Sequence, residues 1–121
     1  MRHLILVIAL SLLAVANSAV ASAEPLSCTI FKKFHCDATS GCKRGPNTRW
    51  NVVDPERQTF SRCEGNFGCE DRQAQMTRSG NFLNIEVPGD GLVAKLSDDG
   101  SQFIEIVTLG SAVHVSFGSC Q

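Results

Sequence analysis

After residue 23 the chain has almost no helical signal. Apolar residues do not recur at the spacing of three and four that buries one face of a helix. It has no excess charge of either sign: with Arg2 set aside, ten Lys and Arg stand against twelve Asp and Glu. That balance offers no strong pull on nucleic acid or on an anionic membrane. There is no Gly-rich phosphate loop and no acidic run with metal-ligand spacing. Ser97-Asp98-Asp99-Gly100-Ser101 looks like a fragment of a calcium loop, but the later ligands and the distal Glu are missing, so it reads as a turn. No Cys-x-x-Cys pair opens a helix, and no Ser-His-Asp or Cys-His arrangement stands out. The longest apolar run, Leu4 to Ala16 broken only by Ser11, falls short of the ~20 residues a membrane span requires. These absences point away from an enzyme, a cofactor, a metal centre, a nucleic-acid partner and a membrane span.

What is present begins with that apolar run. Arg2 and His3 precede it, and Ala21-Ser22-Ala23 follows with small residues at the positions a signal peptidase reads. Residues 1–23 are therefore expected to be a secretory signal peptide, with cleavage after Ala21 as the other option. Removing 23 of 121 residues leaves 98, enough for one domain over residues 24–121. The expected location is secreted or periplasmic.

All six cysteines fall in this domain: Cys28, Cys36, Cys42, Cys63, Cys69 and Cys120. An even count in a small exported chain reads as a disulfide framework, and a domain of this size gains from one. Two of the segments repeat a device. Both "HCDATSGCKRG" (His35–Gly45) and "RCEGNFGCEDR" (Arg62–Arg72) read Cys, acid, three residues, Gly, Cys.

Short alternating runs predict eight strands, about Thr29–His35, Arg49–Asp54, Gln58–Cys63, Arg72–Arg78, Phe82–Val87, Leu92–Ser97, Phe103–Leu109 and Ala112–Phe117. From the fourth onward the connections are too short for anything but antiparallel neighbours. An even-numbered meander can pair its first and last strands and lose both edges. Cys28 and Cys120 sit at the start of the first strand and the end of the last, where a bridge would tie that seam. The expected fold is all-β: a small antiparallel meander closing into an eight-stranded up-and-down barrel, stapled by disulfides.

The repeated device then lies at one rim. Strands one and three are separated by strand two, about 9–10 Å at ~4.8 Å per strand. A disulfide needs Cα atoms within ~7 Å. Local pairs, Cys36–Cys42 and Cys63–Cys69, are favoured over crossed ones. A four-cysteine zinc site usually places two to four residues within each pair, and here there are five.

His35 and His114 are the histidines of the domain, on strands expected to be neighbours. With Cys28 opposite Cys120, strict pairing sets His35 against Val113 and His114 against Phe34, on opposite faces. A one-residue bulge in the first strand, where Ile30, Phe31 and Phe34 do not alternate cleanly, would undo this. The interior is expected to be solid, filled by side chains such as Val52, Phe60, Met76, Leu92, Leu96, Val113 and Val115. Function is then expected at the rim, where Arg49, Trp50 and Phe67 are residue types enriched at binding hot spots. Trp50, at the start of a strand, also suits a core plug. Phe67, between Cys63 and Cys69, is the better exposed anchor.

The run W-N-V-V-D-P (from Trp50), F-S-R-C (from Phe60), G-C (from Gly68), S-G-N-F (from Ser79) and G-S-C (ending at Cys120) resembles uncharacterised small exported bacterial proteins across the whole domain. That resemblance brings no activity. "KFHC" (Lys33–Cys36) and "SGNF" (Ser79–Phe82) are faintly similar to segments of the periplasmic inhibitors of C-type lysozyme. In this chain the aromatic, Phe34, comes one residue early and is Phe; the basic residue of the family's loop and its later Trp-Lys-Gly segment have no counterpart. The resemblance implies an eight-stranded barrel and an inhibitor loop at Ser79-Gly80. The expectation is an exported, non-enzymatic binding or inhibitor-like module. It would be a monomer, with a protein or a cell-envelope component as partner. The alternative is a small enzyme or metal protein using His35, His114 or the rim cysteines.

Overall fold

The short alternating runs become ten antiparallel strands in the computed structural model, which describes residues 24–121. The expected signal peptide and its cleavage point lie outside the described residues. The strands are β1 (Leu26–Asp37), β2 (Gly41–Arg44), β3 (Arg49–Asp54), β4 (Thr59–Glu64) and β5 (Gly68–Gln73). There follow β6 (Gln75–Ser79), β7 (Phe82–Val87), β8 (Leu92–Ser97), β9 (Phe103–Leu109) and β10 (Ala112–Cys120). A single 3-10 turn, Gly65–Phe67, joins β4 to β5.

The sheet order is β5-β4-β3-β1-β10-β9-β8-β7-β6, with β2 paired to β1. The first and last strands are hydrogen-bonded neighbours, as the meander demands. The barrel is nearly closed, and its remaining gap lies between β5 and β6. The count is ten rather than eight for two local reasons. First, the chain folds back after Asp37 to form β2 on the end of β1. Second, the expected fourth strand starts earlier and breaks at Ala74. Up to Gln73 it pairs with β4, and from Gln75 it pairs with β7. Gln58 spans the break. Its carbonyl accepts the Ala74 amide at 2.8 Å, and its side-chain oxygen accepts the Met76 amide at 3.0 Å. Gln58 does this with a left-handed backbone, φ 55°, which costs a non-glycine residue some strain.

A bulge at Phe31 shifts the β1–β10 register between Ile30 and Lys32. Below it Cys28 faces Cys120; above it His35 faces His114. Strict pairing, which would put the two histidines on opposite faces, is thus corrected by one extra residue. Gly118 lies beside the bulge, and a Cβ there would run into the Thr29 carbonyl oxygen. The approach of β10 to β1 needs glycine at this point.

Each opposed pair shares a face, so rows can be followed around the barrel. Asn51, Cys28 and Cys120 form one inward row. It fixes odd positions of β3 and even positions of β10 as inward. Val52, Val113 and Val115, expected in the core, therefore lie on the outer face and are only half-buried. Phe60, Leu92 and Leu96 are in the core as expected, with Met76 packed against it; the rest of the core is Cys28, Ile30, Val53, Ala74, Leu83, Ile85, Val87, Ala94, Phe103, Val107 and Cys120. Phe60 and Phe103 stack at its centre, 6.4 Å apart.

Three disulfides tie the sheet: Cys28–Cys120, Cys36–Cys42 and Cys63–Cys69. Each joins directly opposed residues of neighbouring strands. No free thiol is left, as befits an oxidising compartment. Among the described residues no helix is long and apolar enough to cross a membrane.

Candidate functional site

Beyond Thr29, β1 no longer pairs with β3; from Phe34 it pairs with β2 instead. The two strands part, and a cleft opens at the end of the barrel that carries the two stapled turns. Its volume is about 80 Å³. Asn47 stands in the opening and donates from its side chain to the Ile30 carbonyl. The inward rows continue into this cleft, but with polar residues. Lys33 comes from β1, Arg49 and Asn51 from β3, Arg62 from β4, Glu105 from β9, and His114 and Ser116 from β10. The interior is therefore not solid throughout, as the strand lengths had suggested. It is apolar at one end and charged at the other.

Glu105 is the one carboxylate lining the cleft. It is buried, accepts a hydrogen bond from Asn51 Nδ2 at 3.0 Å, and lies 3.9 Å from the Arg62 guanidinium. Burial pushes its carboxyl above the ordinary glutamate value, against the pull of Arg62 and the Asn51 hydrogen bond. Arg49 is shared with Glu64 at 3.2 Å on the rim. Lys33 has no acidic partner within 4 Å among the described residues.

His35 Nδ1 and His114 Nε2 are 3.2 Å apart, with ring centroids at 4.6 Å. One nitrogen donates and the other accepts, so the pair holds one proton between them. Protonation of both rings would leave no acceptor between them and set two charges in contact. Desolvation lowers the His114 value, and His35, Lys33, Arg62 and Arg49 lower it further by their charge. On the solvent side His35 Nε2 is 3.6 Å from Asp37. Asp37 also caps the turn into β2, accepting from the Ser40 hydroxyl and from the Ser40 and Thr39 amides. The Ser40 hydroxyl, followed by these amides, holds its carboxyl below the usual value. Among the described residues no three His, Cys, Asp or Glu side chains converge in the manner of a metal site.

The rim residues singled out from the sequence separate. Arg49 and Phe67 line one shallow depression together with Arg62, Glu64 and Glu70. Phe67 is 90% exposed on the turn closed by Cys63–Cys69. Trp50 is half-buried and points the other way, in the outer row of Thr29 and Cys63. It neither plugs the core nor joins Phe67. The histidine pair and the charged cleft were not expected. One signal for the cleft is readable in β9: Phe103, Glu105 and Val107 share the inward face, so Glu105 is an acid among core positions.

Fold and site together define a small disulfide-stapled antiparallel β-barrel with a cationic cleft at one end. Comparison of the chain with family models, with curated proteins and with solved structures finds no match.

Proposed function

We infer that this protein is an exported, non-enzymatic binding module that engages a protein or cell-envelope partner through the stapled rim. The observation that carries this reading is Phe67. A phenylalanine 90% exposed on a turn already closed by a disulfide has no role in packing. A pre-ordered aromatic anchor loses little conformational freedom on binding, which leaves more of its contact energy as affinity. Arg49 lies in the same depression and adds a cation of the kind enriched at interface centres. The fully bridged cysteines support a secreted or periplasmic location and leave no thiol for chemistry.

The test is capture of a partner from periplasm or culture medium, followed by Phe67→Ala. Loss of the anchor should weaken binding by about 2 kcal/mol and leave stability within about 0.5 kcal/mol. Unchanged affinity would remove the rim from the contact. If the protein inhibits a C-type lysozyme and replacing Ser79 and Gly80 abolishes this, the contact lies at the β6–β7 turn, at the opposite end.

A further inference from the structure

We propose that the cleft between β1 and β3 is a binding site for a single carboxylate group. The cleft lies on the inner face of the barrel; Arg49 and Arg62 also line the Phe67 depression, but the inference rests on Lys33 and does not depend on the rim reading. Three cationic side chains from three strands converge there, Lys33, Arg49 and Arg62, against one lining carboxylate, Glu105. Lys33 and Arg62 are half-buried, and a cation partly removed from water is costly without a compensating anion.

The charges also set the size of the ligand's own charge. Glu105 answers Arg62, and Glu64 answers Arg49. Lys33 is the cation left over, and it lines the cleft with Asn51 and with Ser116, its opposed residue on β10. One negative charge balances this remainder, and a dianion such as phosphate exceeds it. The volume agrees. At ~10–15 Å³ per water position, a cleft of about 80 Å³ holds several waters or one small oxyanion with its contacts. The donors are of the right kind as well: an ammonium, a guanidinium and amide groups all donate to carboxylate oxygens. The same excess of positive charge argues against a cation at His35 and His114.

A carboxylate can arrive as a small free acid or as an Asp or Glu side chain of a partner, and the experiment separates the two. The purified protein is titrated with acetate at constant ionic strength, chloride being the replaced ion, and ¹H–¹⁵N spectra are recorded. Saturable shifts at Lys33, Asn51 and Ser116 are expected. Lys33→Gln should weaken acetate about tenfold, in line with the loss of one charged hydrogen bond. Lys33→Arg should retain binding, and Lys95→Gln, on the outer face, should leave it unchanged. The spectra report whether each variant is folded. A short peptide with a central Asp that binds more tightly than acetate identifies a protein side chain as the source; a peptide that binds more weakly identifies a free acid. Either result supports the site. Absence of saturable shifts, shifts unaffected by Lys33→Gln in a folded variant, or phosphate binding at least as tightly as acetate would overturn it.

Discussion

Removing the Cys28–Cys120 bridge should cost the protein far more than removing either local one. The first closes a sequence separation of 92 residues, the others a separation of 6. In the chain-entropy model a loop of that longer size restricts the unfolded chain by about 4.6 kcal/mol, the shorter by about 2.4 kcal/mol. A difference of about 2 kcal/mol follows. Against Cys36–Cys42 burial acts in the same direction, since Cys28 and Cys120 are buried while Cys36 and Cys42 are not; Cys63 is as buried as Cys28, so for Cys63–Cys69 the difference is that of loop length alone. A domain of this length is stable by only about 5–15 kcal/mol. Cys28→Ala/Cys120→Ala should therefore be near the limit of folding, while Cys36→Ala/Cys42→Ala remains well folded. Urea unfolding followed by Trp50 fluorescence gives both values. With a slope of about 1–3 kcal/mol per molar urea, the two midpoints should differ by about 1–2 M. Equal losses, or a larger loss for the local pair, would refute the claim that the seam between β1 and β10 is where the bridge acts on the unfolded chain.

Gly118→Ala should destabilise the protein by about 2 kcal/mol or more, because the new methyl group collides with the Thr29 carbonyl. Gly45→Ala, which meets nothing within 4 Å, should change stability by no more than about 0.5 kcal/mol, and thermal unfolding compares the two. His114 has a folded-state value below its ordinary 6.5, so the unfolded chain binds the proton more readily. Stability should fall as pH drops through 6.5 and level off below the folded value, and His114→Gln should flatten that loss in urea titrations across the range. Glu105 has the opposite sign, since its folded-state value lies above the ordinary 4.5. Glu105→Gln keeps an acceptor for Asn51. It should match the parent below pH 4.5 and be the more stable of the two once pH passes the raised value.

Local signals in the sequence were sufficient for the architecture. Two-residue turns such as Gly80-Asn81 and Gly110-Ser111 dictate neighbours, and the place of Cys28 and Cys120 dictates the seam. Disulfides at separations of 6 were readable for the same reason: the ends of a hairpin are close whatever the rest of the chain does. The register of β1 on β10 was readable at Cys28 and Cys120, but not past the irregular stretch of Ile30, Phe31 and Phe34. Phe31 adds one residue to β1, and a single-residue slip exchanges every side chain between core and surface. That slip brings His35 to His114, and strict alternation hid it. The charged cleft was missed because Lys33, Asn51 and Arg62 sit in strands that also alternate, where a polar residue is normally assigned to the outside. Only their rows, fixed by pairing across three strands, show that they point inward.

The break at Ala74 determines how the barrel moves. β10 is paired on both sides, and β1 is paired to β10 on one side and to β3 and then β2 on the other, whereas β5 is bonded only to β4 and β6 only to β7. Opening either edge breaks one ladder and exposes little of the core, since every residue of β5 is already exposed. The strands at the bridged seam cannot part without disrupting the centre of the sheet. Backbone amides of Gly68–Ser79 should therefore exchange with solvent through small local openings, while those of β1 and β10 wait for the whole domain to unfold. Within the edge regime the fixed point is Gln58, whose main-chain oxygen holds the Ala74 amide and whose side-chain oxygen holds the Met76 amide.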